Sequence, residues 1–347
     1  MVGLVALFAA VVPGCSHVSE QNLLSFAVSE VNDKGQERSV IPERVSDALN
    51  LIGFVARDNE LIVTTDFMSE YCLDVIDMTS GETVRRLCRK GRGPGEFLSV
   101  SPLFSITGDA LTIYDFGTGA ASEVLTSGED AGYTVRQVKL EAGKTHPNIM
   151  SSYKVSEDDI IAYNSIQGSA EFVSIDSPYY AVYDWRDGKE KRAFKLFDAI
   201  PLEKETEFVR MNAFALADCI NSQRTTLCFA MNSMPVYGFL DIRTGKVKGF
   251  RIKGATPFSA TDPYMFFTGI CAQDDYVYAL YFGRPTREHM PGANTLLYKM
   301  DWNGRILNKY KLDGLFRSCC ATPDALYLSK VEDNQTLRLY RLETCRL

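Results

Sequence analysis

The ten residues from Cys88 to Phe97, Cys-Arg-Lys-Gly-Arg-Gly-Pro-Gly-Glu-Phe, hold three glycines, a proline and alternating charges. Glycines at this density are what a phosphate cradle needs, because backbone N–H groups reach an anion only where no side chain intervenes. A dinucleotide loop spaces them as Gly-x-Gly-x-x-Gly between a strand and a helix. Here they stand at Gly91, Gly93 and Gly95, and a strand pattern follows. The other phosphate loop needs Gly-x4-Gly-Lys-Ser/Thr, and the Gly-Lys-Thr at Gly143–Thr145 lacks its leading glycine. Nucleotide chemistry therefore fails on context, and the stretch reads as a corner where the backbone turns sharply.

Other chemistries are thinly supplied. Three histidines, His17, His146 and His289, make a multi-histidine metal site improbable. Nine cysteines include no Cys-x-x-Cys pair, and neither Gly-x-Ser-x-Gly nor His-Glu-x-x-His occurs. No catalytic residue, metal site or cofactor is expected. A net charge of -7 and a pI near 5.2 also argue against a general nucleic-acid binder.

The N-terminus carries an address. Val2–Val12 is an apolar or small-residue run, too short to span a bilayer but suited to a signal-peptide core, and it ends in Val12-Pro-Gly-Cys15-Ser. That ending resembles the bacterial lipobox, with Cys15 as the lipid-attachment residue; an apolar N-terminal strand is the alternative. The expected organisation is a lipoprotein signal peptide over 1–14, a lipid-anchored tether over 15–22 and one folded unit over 23–347. Export would place the remaining cysteines where disulfides are permitted. Cys72 and Cys88 flank a turn near Ser80 symmetrically and could face each other as a cross-strand disulfide. Cys219, Cys271 and Cys320 share one repeat position and read as small core residues, and the adjacent Cys319 and Cys320 as two thiols.

What positions these residues is a repeat. From residue 50, short runs rich in Val, Ile, Leu, Tyr and Phe are separated by Gly, Asp, Asn and Ser turns. Six such turns align at Asn59, Asp109, Asp158, Gln223, Asp275 and Asp324, about 50 residues apart. A second element recurs in step, a strand ending in Asp and a glycine turn, as in Asp77–Glu82, Asp184–Lys189, Asp241–Lys246 and Asp301–Arg305. Each unit is then four antiparallel strands, A to D, and the fold expected is an all-β, six-bladed β-propeller. The last unit runs out after three strands, so a strand from 23–45 is expected to close the ring and remove the exposed edge. The nearest helical period is Pro42–Phe54.

Lipobox, six β units and Gly-Arg-Gly-Pro-Gly-Glu-Phe after the first unit together resemble the six-bladed, TolB-like propeller lipoproteins of Bacteroides-type bacteria. The resemblance implies fold and a cell-envelope location, on the periplasmic or surface side of the outer membrane, rather than any activity.

In a propeller, D–A crossings and B–C loops share one face, and A–B and C–D turns the other. The turns read as short throughout. The longer insertions begin at Ser165, Asp198, Lys253 and Gly283, all on the D–A/B–C face. Length gathered on one face of a rigid scaffold marks it as the working face. Arg92, Arg210, Tyr264, Arg284 and His289 are the candidate binding residues there. The expected partner is a protein or a small-molecule or glycan ligand, with the membrane reached through the lipid. The alternative is a lactonase-like hydrolase or lyase at the channel mouth. Calcium in such a channel requires acids on strand A, where Asp218 is the one obvious candidate.

Overall fold

The structure is a computed structural model describing residues 23–33, 36–46, 53–65, 68–141, 149–165, 179–198, 214–259, 264–285, 293–332 and 337–347. It opens with β1 (Val28–Val31), β2 (Glu37–Ser39) and β3 (Glu43–Ser46). Strands then come in fours. Blade one is β4 (Phe54–Arg57), β5 (Glu60–Thr64), β6 (Tyr71–Asp77) and β7 (Thr83–Arg89). Blade two is β8 (Ser105–Thr107), β9 (Ala110–Asp115), β10 (Ala120–Leu125) and β11 (Thr134–Lys139). Blade three is β12 (Ile149–Lys154), β13 (Asp159–Asn164), β14 (Tyr179–Asp184) and β15 (Glu190–Lys195). Blade four is β16 (Leu216–Ile220), β17 (Thr226–Met231), β18 (Val236–Asp241) and β19 (Val247–Ile252). Blade five is β20 (Tyr264–Gln273), β21 (Tyr276–Pro285), β22 (Asn294–Asp301) and β23 (Ile306–Asp313). Blade six has β24 (Leu315–Ala321), β25 (Ala325–Val331) and β26 (Leu337–Glu343). The fold is the expected all-β propeller of six four-stranded antiparallel blades.

The fourth place in blade six is taken by β3, with Arg44 opposite Tyr340 and Glu43 opposite Arg341. Two further strands come from the same segment, where the repeat count asked for one. β1 adds in parallel to β19, Val28 opposite Gly249, and β2 adds in parallel to β23, Glu37 opposite Lys309. Leu24 bridges Phe197 of blade three. Leu24, β1, β2 and β3 thus lie at the outer edges of blades three, four, five and six in turn, covering backbone edges that would otherwise be open. The helical period at Pro42–Phe54 is overridden, since Glu43–Ser46 is β3 and residues 47–52 lie outside those described.

Burial follows position in the blade. β9 is buried at every residue because neighbouring blades cover both of its faces. The outer strand β11 alternates between half-buried and exposed, and β15 is exposed along most of its length. Between blades lie fully buried aromatic side chains, including Trp185, Tyr163, Tyr180 and Phe229. Each such side chain contributes roughly 1.5–3 kcal/mol relative to an exposed one.

The turns follow their chemistry. All six aligned positions, Asn59 to Asp324, fall in A–B turns. Gly81, Gly188, Gly245 and Gly304 have φ of 74°, 76°, 74° and 89° in the C–D turns, the left-handed region these hairpins require. The aspartates that open those turns accept bonds from turn amides, as Asp77 does from Thr79 and Ser80 and Asp301 does from Asn303 and Arg305.

Candidate functional site

The glycine-rich stretch leaves β7 and leads towards β8, so it is the first inter-blade crossing. Gly93 accepts from the Glu96 N–H at 3.1 Å across Pro94 and Gly95. Gly95 has φ of 74°, and Pro followed by left-handed Gly is the signature of a type II turn. The Glu96 carboxylate folds back and accepts the Gly93 N–H at 2.8 Å. It lies so close to Gly91 that a Cβ there would stand 1.9 Å from Oε2. Phe97 is fully buried in the cluster shared by blades one and two. The loop cradles its own carboxylate. Arg92 stays exposed at its tip.

Two more candidates lie at one end of blade five without meeting. Met265 pairs with Arg284 and Tyr264 with Pro285, so Tyr264 and Arg284 occupy adjacent rungs and point to opposite faces of the sheet. Both sit on strand ends rather than in loops, because β20 begins at Tyr264 and β21 runs on to Pro285. Tyr264 stacks on Phe266 with ring centroids 5.7 Å apart, and Arg284 is exposed. Arg92 belongs to a different crossing, between blades one and two. Cys15, Arg210 and His289 lie outside the described residues.

Connection lengths favour one face. The spans 90–104, 140–148, 165–178, 196–215 and 253–263 are all D–A crossings or B–C loops. The A–B turns are short. The C–D turns are not uniformly so, since blade two uses 126–133 there, matching the B–C loop of blade five at 286–293. That blade lacks the Asp–Gly turn of the others, which is why the repeat did not reveal it.

The inner strands enclose a cavity of about 240 Å³ lined by Tyr153, Asp218, Cys219, Cys271, Cys319 and Cys320, among others. Asp218, on β16, reaches sideways into blade three. Its Oδ2 accepts from the Ser151 hydroxyl and from the Tyr180 hydroxyl at 2.6 Å, and its Oδ1 from the Tyr153 hydroxyl at 2.8 Å. Burial raises the Asp218 pKa against the lowering effect of these donors, and burial followed by the Asp218 charge raises Tyr153 and Tyr180. Such a carboxylate ties two blades together, with both oxygens engaged. Among the described residues no cluster of three or more His, Cys, Asp or Glu is arranged to hold a metal ion.

At the A–B end, Arg224 reaches from blade four to the Lys154 carbonyl of blade three at 2.8 Å and the Thr107 hydroxyl of blade two at 2.7 Å. Lys154 in turn pairs with Glu123 of blade two at 2.8 Å. Sequence reasoning missed Ser151, Tyr153, Tyr180 and Arg224. Only Arg224 carried a signal, since its turn departs from the Asp found in most of the others.

No protein-family profile matches the chain, and no curated protein matches it. Solved structures do. A member of the DUF4221 family from Bacteroides vulgatus superposes with a TM-score of 0.59 at 11% identity, covering 94% of this chain and 99% of that one. A protein from Bacteroides fragilis described as exported superposes with a TM-score of 0.53 at 11% identity, covering 92% and 100%. At this identity the likeness is one of fold, and the fold shared over almost the whole chain is the six-bladed propeller.

Proposed function

We propose that this chain is a cell-envelope binding propeller without catalysis of its own, held at a membrane by lipid on Cys15, whose D–A/B–C face receives a protein or a small-molecule or glycan ligand. One observation carries the reading: each of the five longest connections between blade strands is on that face. A rigid ring presenting long segments at one end and mostly tight turns at the other is built to display them. Tyr264 and Arg284 add an aromatic and an exposed cation on opposite faces of blade five at the same edge, residue types enriched where surfaces recognise partners. The exported description of the Bacteroides fragilis protein supports the location. The apolar run before Cys15 supports the anchor.

The hydrolase reading rests on the cavity. Its one described acidic lining residue is Asp218, whose oxygens already accept three hydroxyl bonds, an arrangement that favours a seam tie over a general base.

The test compares wild type with an Arg284→Ala/His289→Ala variant in quantitative capture from envelope extracts. Binding by the face predicts loss of the retained partner or glycan with an unchanged melting temperature. Equal retention by both would sink the assignment. Separately, Cys15→Ala should move the protein to the soluble fraction, and persistent membrane association would count against lipidation.

A further inference from the structure

All eight described cysteines are thiols in the structure, and six of them stand in pairs. On blade one, Tyr71 is opposite Arg89 and Leu73 opposite Leu87, which sets Cys72 against Cys88; both are buried in one cluster. On blade four, Cys219 is directly opposite Cys228 across the A and B strands. The third pair crosses a seam. Cys271 of blade five and Cys319 of blade six line the same cavity and pack in the same cluster. Their inner strands run so close that a Cβ on Gly269 would stand 3.3 Å from the Cys319 nitrogen. Cys320 and Cys345 remain outside the pairs.

Core packing alone asks for small apolar residues at these places and has no need to set cysteine against cysteine. Opposed residues of antiparallel strands, as in the first two pairs, have Cα atoms about 4.5–5.5 Å apart, inside the roughly 4.4–6.8 Å that a disulfide spans, while the third pair rests on the close approach of its two inner strands. We propose that the chain carries three disulfide sites, Cys72–Cys88, Cys219–Cys228 and Cys271–Cys319. The first extends a pairing already legible from the symmetric spacing about Ser80. The other two come from the fold, one within blade four and one sewing blade five to blade six. Each bond forms by exchange: a thiolate attacks an incoming disulfide, and its partner then displaces the mixed disulfide. One S–S bond forms and one breaks, and the two S–H protons pass through solvent to the incoming disulfide, which leaves as two thiols. The oxidant is a protein or glutathione-type disulfide; its supply rests on the envelope reading, whereas the pairing does not.

Timing follows from burial. Desolvation raises the pKa of Cys88 and Cys219, and contact with Cys271 followed by burial raises that of Cys319. A buried thiol yields little thiolate, so the bonds form while the strands are still opening, and the folded, reduced chain resists oxidation.

The full chain bearing Cys15→Ala, exported to a bacterial periplasm, is alkylated in denaturant before any reduction and then peptide-mapped. The expected map has three linked peptide pairs, each two hydrogens lighter, with label only on Cys320 and Cys345. A second sample, made reduced in the cytosol, is treated with oxidised glutathione in rising urea and should yield the same pairs. Bonds in the second sample but not in the first would overturn the envelope reading and leave the pairing intact. Label on all eight cysteines in both samples, or links between other partners, would overturn the pairing. In Cys319→Ser, Cys271 should become alkylatable while the other two links persist.

Discussion

The Tyr180 hydroxyl of blade three donates to the Asp218 carboxylate of blade four at 2.6 Å, joining an inner strand of one blade to the interior of the next. Ser151 and Tyr153 donate to the same group, so removing it strands three hydroxyls at once. Asp218→Ala is expected to cost about 2–4 kcal/mol in denaturant unfolding, because buried hydroxyls without acceptors pay full desolvation. Asp218→Asn keeps one acceptor oxygen and should cost about 1 kcal/mol or less. The pH dependence has a definite sign. With its pKa raised by burial, folded Asp218 holds its proton more tightly than the unfolded group does. Its contribution is complete below the ordinary value of 3.8 and is lost as pH rises through the folded value. Measured from acid towards neutrality, wild type should therefore lose ground to Asp218→Asn. A difference between them that does not change with pH would contradict the assignment.

The crossing loop separates geometry from recognition. Gly95→Ala places a Cβ at φ of 74° and should cost about 1 kcal/mol. Glu96→Ala removes the acceptor of the Gly93 N–H and should cost about 0.5–1.5 kcal/mol. Arg92→Ala should leave stability unchanged within about 0.5 kcal/mol, since the side chain is exposed. Any effect of Arg92→Ala would then be read in partner retention alone. Thermal unfolding of the three variants checks the order, and a destabilised Arg92→Ala would place that residue in the loop's structure.

Much of this was legible from short-range chemistry. Gly81, Gly188, Gly245 and Gly304 announce positive φ because hairpins demand it, and the six aligned turns at Asn59 to Asp324 give both blade count and register. The symmetric spacing about Ser80 likewise matches the register of β6 and β7 on either side of Cys72 and Cys88. What escaped was long-range. β1 and β2 add to edges more than two hundred residues away, and a parallel edge strand leaves no turn beside it to betray its partner. Asp218 stood out as an acid on an inner strand, but its hydroxyl donors lie in another blade whose sequence carries no sign of them. Tyr264 and Arg284 read as loop residues because β20 and β21 of blade five are ten residues long, well beyond the usual length of about five or six.

The N-terminal belt depends on a missing side chain. Gly249 faces Val28, and a Cβ there would stand 2.5 Å from Phe26 Cε2 and 2.8 Å from Val28 Cγ1. Phe26 in turn packs edge-on to Phe229 at 5.7 Å. Gly249→Val should push β1 off β19 while the blade's own four strands persist. Limited proteolysis is the measurement: cleavage within residues 23–33 should quicken several-fold, with the remaining fragment still resistant. Unchanged protection would mean that β1 contributes little to holding the segment.

Arg224 tests whether the A–B end of the ring is fastened by a strained residue. It has φ of 58°, a conformation that glycine adopts freely and other residues adopt at a cost, while its guanidinium ties blade four to blades two and three. Arg224→Ala loses both bonds and keeps the strain, for an expected loss of about 2–3 kcal/mol. Arg224→Gly loses the same bonds but relieves the backbone, so it should be the more stable of the two by about 1 kcal/mol. Were the bonds worth nothing, Arg224→Gly would exceed wild type. Were the strain absent, the two variants would unfold together. Denaturant midpoints of the three proteins therefore separate the backbone cost from the bonds it holds in place.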